Sequence, residues 1–114
     1  MSVVIYHNPR CSKSRQTLSM LEEKHIKPEI KEYLKQVPSK QELQHVLSLL
    51  GISAHDLMRK KEPEYKSLGC SADMSEDQLL DLMLSHPKLI ERPIVVNGNK
   101  AAIGRPPEAV LEIL

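Results

Sequence analysis

A short β-rich run, Val3-Val4-Ile5-Tyr6, is broken by His7-Asn8-Pro9 and followed almost at once by a helical composition from Ser12 to Lys24. That juncture constrains the fold more than any other feature of the chain. The run reads as a buried strand, and the helix carries Leu18 and Leu21 on one face with charges on the other. Pro28 ends the helical region. Residues Glu29 to Leu34 then read as a second strand, with Ile30, Glu32 and Leu34 on one face and Lys31 and Tyr33 on the other. A strand–helix–strand unit implies parallel pairing, because the crossover returns the chain to the same end of the sheet.

The segments that follow are helical. Ser39 with Glu42 forms a capping box, and Leu43, Val46, Leu47 and Leu50 share one helical face up to Gly51, where a C-cap glycine belongs. Ser53 with Asp56 opens a short helix carrying Leu57 and Met58, and Ser75 with Asp77 or Gln78 opens another that ends at Pro87. Beyond it, Ile94-Val95-Val96 and Lys100 to Ile103 flank Asn97-Gly98, a strong hairpin signal. Pro106 and Pro107 occupy the first turn of a last helix bearing Ala109, Val110, Ile113 and Leu114. This order predicts an α/β, thioredoxin-like fold. It comprises a four-stranded mixed sheet flanked by helices, with a helical insertion between the strand–helix–strand half and the hairpin–helix half.

At 114 residues the chain suits one domain, residues 1–114, whose core must be aliphatic because there is no Phe, no Trp and only three Tyr. A net charge of +1 argues against a nucleic-acid partner. The first apolar run is too short for a signal peptide, and no stretch approaches a membrane span. Two cysteines in unlike contexts do not make a disulfide framework, which points to a reducing cytoplasm. The four remaining histidines form no metal-ligand spacing with the cysteines, so no metal is expected.

The chemistry concentrates in His7-Asn8-Pro9-Arg10-Cys11-Ser12-Lys13-Ser14-Arg15. A cysteine between a strand end and a helix start faces unpaired N–H groups and the positive end of the helix dipole, and both stabilise a thiolate. An ordinary thiol ionises near ~8.5, whereas helix N-termini with nearby cations bring this to ~3.5–7.5. Arg10, Lys13, Arg15 and His7 are the candidate cations, and the same N–H groups suit an oxyanion. Ser12 and Ser14 are candidates either for donation to the thiolate or for helix capping. The motif is Cys-x-x-Ser, so no local disulfide forms and turnover needs an external thiol or Cys70, which reads as incidental. Arg92 precedes Pro93 at a strand start, a setting that suits a cis bond. Arg105 stands at the start of the last helix, and Arg59 follows Leu57-Met58.

Taken in order, His7-Asn8-Pro9-x-Cys11-x-x-Ser14-Arg15, Leu57-Met58-Arg59-Lys60, Glu91-Arg92-Pro93-Ile94-Val95 and Ile103-Gly104-Arg105-Pro106-Pro107-Glu108 resemble the glutaredoxin-coupled arsenate reductase family over nearly the whole chain. The resemblance implies that Cys11 attacks arsenate and that Arg59, Arg92 and Arg105 hold the oxyanion, with Ser14 and Arg15 of the motif as further oxyanion-binding residues. It implies that His7 favours the thiolate and Pro93 is structural. Glutathione is then a co-substrate, glutaredoxin a partner, and the role arsenic detoxification by a monomer with no bound cofactor. Arg10 and Lys13 make the motif more basic than in the plasmid-type enzymes, and the chain lacks their C-terminal extension. Two other functions share this scaffold. One is an Spx-like regulator of RNA polymerase, which normally uses Cys-x-x-Cys. The other is a general glutathione-dependent thiol transferase.

Overall fold

The computed structural model describes residues 3–114. They form two compact units, one built from the chain up to Gln36 together with Arg92–Leu114, the other from Val37–Glu91. The first unit holds all four strands: β1 (Val3–Tyr6), β2 (Glu29–Lys31), β3 (Ile94–Asn97) and β4 (Lys100–Ile103). They run in the order β2-β1-β3-β4. β1 pairs parallel with β2 and antiparallel with β3, and β3 pairs antiparallel with β4, which gives the expected mixed, thioredoxin-like sheet. Helix α1 (Ser12–Glu23) is the crossover between β1 and β2. The core of this unit is Ile5, Leu21, Val95 and Val110, all fully buried. Each such side chain contributes about 1.5–3 kcal/mol relative to exposure.

Three local readings need correction here. The second strand stops at Lys31 instead of Leu34, because the carbonyl of Glu32 turns to accept from the N–H groups of Lys35 and Gln36. Of the two faces, the one with Tyr33 is turned inward: Tyr33 is buried, while Ile30 and Leu34 are exposed. In the hairpin, Asn97 pairs with Lys100, so the two-residue loop is Gly98-Asn99, one position later than the Asn-Gly signal suggests. Gly98 takes φ +63°, which the first position of this tight loop requires and a side chain would disfavour. The terminal helix is 3₁₀, spanning Pro107–Ile113, with Pro106 outside it as N-cap and Val110 as its buried anchor.

The second unit is helical: α2 (Lys40–Leu50), α3 (Ala54–Leu57), α4 (Pro63–Ser67), α5 (Glu76–Ser85) and a 3₁₀ turn, Pro87–Leu89. The caps sit where the sequence puts them. Ser39 accepts from the Glu42 N–H, Gly51 closes α2 with φ +70°, and Ser53–Asp56 and Ser75–Gln78 are complete capping boxes. The apolar faces bury Leu43, Val46 and Leu47 of α2 and Leu79, Leu80 and Met83 of α5. Lys40 joins the two helices by ion pairs to Asp77 and Asp81. Sequence reading missed α4, although Pro63 followed by Glu64 is a helix-start signal. No helix among the described residues is long and apolar enough to cross a membrane.

Candidate active site

The first strand delivers the chain into a tight loop that aims Cys11 at the start of α1. The loop is held by its own polar groups. The Cys11 N–H donates to the Asn8 carbonyl at 3.0 Å, and the Arg10 N–H donates to Asn8 Oδ1 at 3.0 Å. Such side-chain-to-backbone turns are a common use of asparagine. Ser14, one turn into the helix, closes the loop from the other side. Its hydroxyl lies 2.7 Å from His7 Nδ1 and accepts from the Asn8 N–H at 3.0 Å. His7, Asn8 and Ser14 are all buried, so this network forms a polar floor beneath the cysteine.

Cys11 is the N-cap residue of α1 and is partly exposed. Burial pushes its thiol up, but the opposing influences prevail. The backbone N–H of Ser14, the guanidinium of Arg92 and the backbone N–H of Lys13 together hold it below the ordinary thiol range. Arg105 adds a second cation from the start of the last helix, with Nη2 3.7 Å from the sulfur. The same guanidinium is fixed from behind, because its Nε donates to the Arg92 carbonyl at 2.7 Å. Peptide bonds Arg92–Pro93 and Arg105–Pro106 are both cis, the second unanticipated from the sequence. A sulfur with a lowered pKa therefore faces helix N–H groups and two arginines, an arrangement that suits nucleophilic attack on an oxyanion.

The candidate cations of the motif behave differently. Arg10 and Lys13 are exposed, and Lys13 acts on the sulfur through its backbone N–H. Arg15 directs Nη1 to the Pro9 carbonyl at 3.0 Å. Burial lowers the His7 pKa, Glu32 opposes this and Arg15 reinforces it. His7 is thus a neutral imidazole near pH 7 and not a cation beside the thiol. The hydroxyl of Ser14 is committed to His7 and Asn8, so what it presents toward the sulfur is its N–H. Neither Ser12 nor Ser14 is the N-cap. Arg59 lies in the second unit, where Nη1 meets Glu91 Oε1 at 2.9 Å and Nε meets Glu62 Oε1 at 3.2 Å. Cys70, also there, is buried, and burial pushes its thiol up. Among the described residues no group of three or more His, Cys, Asp or Glu is placed to hold a metal.

Two contributors escaped sequence reading. Asn8 looks like a simple strand breaker, and only the fold shows that it ties down the Cys11 loop. Thr17 is fully buried on α1, its hydroxyl donating to the Lys13 carbonyl at 2.8 Å. No local signal marks Thr17 in the sequence, because its burial depends on tertiary packing.

Comparison with known proteins points to one family. The chain is 54% identical to the arsenate reductase of Haemophilus influenzae, with both chains covered in full. It is 45% identical to an arsenate reductase of Escherichia coli, over 99% of this chain and 81% of that one. Among solved structures, the arsenate reductase from Vibrio cholerae superposes with a TM-score of 0.96 at 52% identity, covering 100% of this chain and 98% of the other. The ArsC family model matches residues 6–113, and the chain belongs to the ArsC family.

Proposed function

We propose that this chain is a glutathione- and glutaredoxin-dependent arsenate reductase in which Cys11 is the nucleophile. The observation that carries the reading is the sulfur of Cys11, its pKa held down, with the Arg105 guanidinium 3.7 Å away and Arg92 acting on the same atom. Arsenate is a doubly charged tetrahedral anion, and helix N–H groups with planar arginine forks are complementary to it. The Cys11 thiolate attacks arsenic and an arsenate oxygen, protonated from solvent, leaves as water, giving a thiol–arsenate ester. Glutathione then attacks the Cys11 sulfur. The S–As electron pair moves to arsenic, which falls from As(V) to As(III) and departs as arsenite, while Cys11 and glutathione form a mixed disulfide. A glutaredoxin thiol attacks that disulfide and returns the thiolate. Ser14 in place of a second cysteine supports this external resolution, as does Cys70, whose raised pKa keeps it a thiol.

Arg92 and Arg105 hold the oxyanion and its developing charge. Arg59 joins them on the strength of the family resemblance. His7 acts as a positioning residue through Ser14, and Ser14 and Arg15 join the oxyanion-binding set on the same family resemblance. Arsenate and phosphate are nearly alike in shape and charge, so selectivity lies in the chemistry, since only arsenic accepts the electron pair from a thiol. A reducing cytoplasm, where glutathione is available, suits this cycle.

The test is a coupled assay with glutathione, glutaredoxin, glutathione reductase and NADPH. NADPH oxidation is expected to require arsenate, and to stop when any one thiol component is omitted. An arsenate-independent rate on glutathionylated protein, with none dependent on arsenate, would instead identify a thiol transferase.

A further inference from the structure

Arg105 can serve the sulfur only if the backbone just before it lies close against α1, and Gly104 is the residue at that approach. Gly104 is buried, and its N–H donates to the Pro93 carbonyl at 2.9 Å. A Cβ at this position would stand 2.6 Å from Thr17 Oγ1 and 2.8 Å from Pro93 Cγ. Both neighbours are fixed. Thr17 is fully buried with its hydroxyl bonded to the Lys13 carbonyl, and the Pro93 ring is buried at the start of β3. The requirement at residue 104 is therefore space. Any side chain must lift the Gly104–Arg105 backbone away from α1 and Pro93.

We infer that Gly104 and Thr17 form a seat that positions the Arg105 guanidinium against the Cys11 sulfur, making both positioning residues of the reaction. Lifting the backbone breaks two registrations together: Arg105 Nε on the Arg92 carbonyl, 2.7 Å, and Arg105 Nη2 on Cys11 Sγ, 3.7 Å. The seat thus ties the wall of α1 to the cation that an incoming oxyanion meets. The inference rests on the arsenate reading only for its kinetic readout, since the state of the thiol can be followed without any substrate.

The experiment compares wild type, Gly104→Ala, Thr17→Ile, Thr17→Ala and the Gly104→Ala/Thr17→Ala pair. Each is checked for folding by circular dichroism, then for the pH dependence of Cys11 alkylation by iodoacetamide and for steady-state arsenate kinetics. In Gly104→Ala the alkylation midpoint of Cys11 is expected to move up. kcat/KM for arsenate should fall about 10- to 100-fold, mainly through KM, as for a misplaced binding group. Thr17→Ile, which crowds the seat from the helix side, should act in the same direction and decides the matter if Gly104→Ala does not fold. Thr17→Ala alone should act in the same direction as Gly104→Ala but by less, and in the paired variant it should recover part of the loss, a coupling expected only of groups in contact. Folded Gly104→Ala or Thr17→Ile with a wild-type thiol midpoint and wild-type KM would overturn the inference, as would lowered stability with both values unmoved. Should the wild type prove inactive on arsenate, the thiol midpoints still test the seat.

Discussion

Cys11→Ser is expected to abolish arsenate-dependent turnover, with a loss of at least ~10³-fold, while the protein stays folded. A serine hydroxyl at this place is neutral at any pH the fold survives, so the N–H groups of Lys13 and Ser14 and the arginines no longer stabilise an anionic nucleophile. The substitution also has a structural side. Cys11 is the N-cap of α1 yet makes no side-chain cap hydrogen bond, and serine is among the preferred residues there. The variant should therefore be at least as stable as wild type, gaining up to ~1 kcal/mol in denaturant melts. Activity and stability move in opposite directions because the helix start is given over to a sulfur anion. Residual arsenate-dependent activity above one-tenth of wild type would mean that Cys11 is not the nucleophile.

Arg105→Ala comes next in size. Losing a charge-assisted donor aimed at developing negative charge costs about 10²–10³ in kcat/KM. The sulfur also loses a cation 3.7 Å away, so the Cys11 midpoint should rise in the same variant. Arg105→Lys separates charge from shape. It keeps the positive charge but cannot at once donate to the Arg92 carbonyl and present a planar fork toward the sulfur. It should recover the thiol midpoint better than it recovers kcat/KM. Equal recovery of both would show that geometry at this position matters little. Steady-state kinetics and Cys11 alkylation on the two variants supply both numbers.

Much of the fold could be read from the chain because its signals are local. Ser53–Asp56, Ser75–Gln78 and Gly51 each mark a helix end by chemistry completed within four residues. The hairpin was legible for the same reason, though its loop sits one residue later, since Asn97 still pairs with Lys100 and Gly98 supplies the positive φ of the first loop position. The strand over 29–34 was over-read because alternation continues past Lys31, whereas only three residues find partners on β1. In the site, the place of Cys11 between strand and helix was legible. The cations were harder. Arg10 and Lys13 are neighbours in sequence but lie exposed, while Arg92 and Arg105 act from some eighty and ninety residues away, brought in by the β3–β4 hairpin. For His7 the chain alone leaves open a cation or a strand-end histidine, because its burial, and its bond to Ser14 seven residues on, depend on tertiary contacts. The Thr17–Gly104 contact is illegible for that reason too: nothing local distinguishes a glycine needed for space from one needed for a turn.

The measurement that bears most directly on the account is the ionisation of Cys11 in the intact protein, followed as the alkylation rate of its own peptide against pH, with Cys70 as internal comparator. The thiolate is the reacting form, so a lowered pKa leaves Cys11 reactive at neutral pH, and reactivity is lost only as pH falls through that lowered value. The account predicts a Cys11 midpoint clearly below the ordinary ~8.5, and a Cys70 midpoint above it. A Cys11 midpoint at or above ~8.5 would contradict it, because the arginines and the helix start would then be doing nothing for the sulfur.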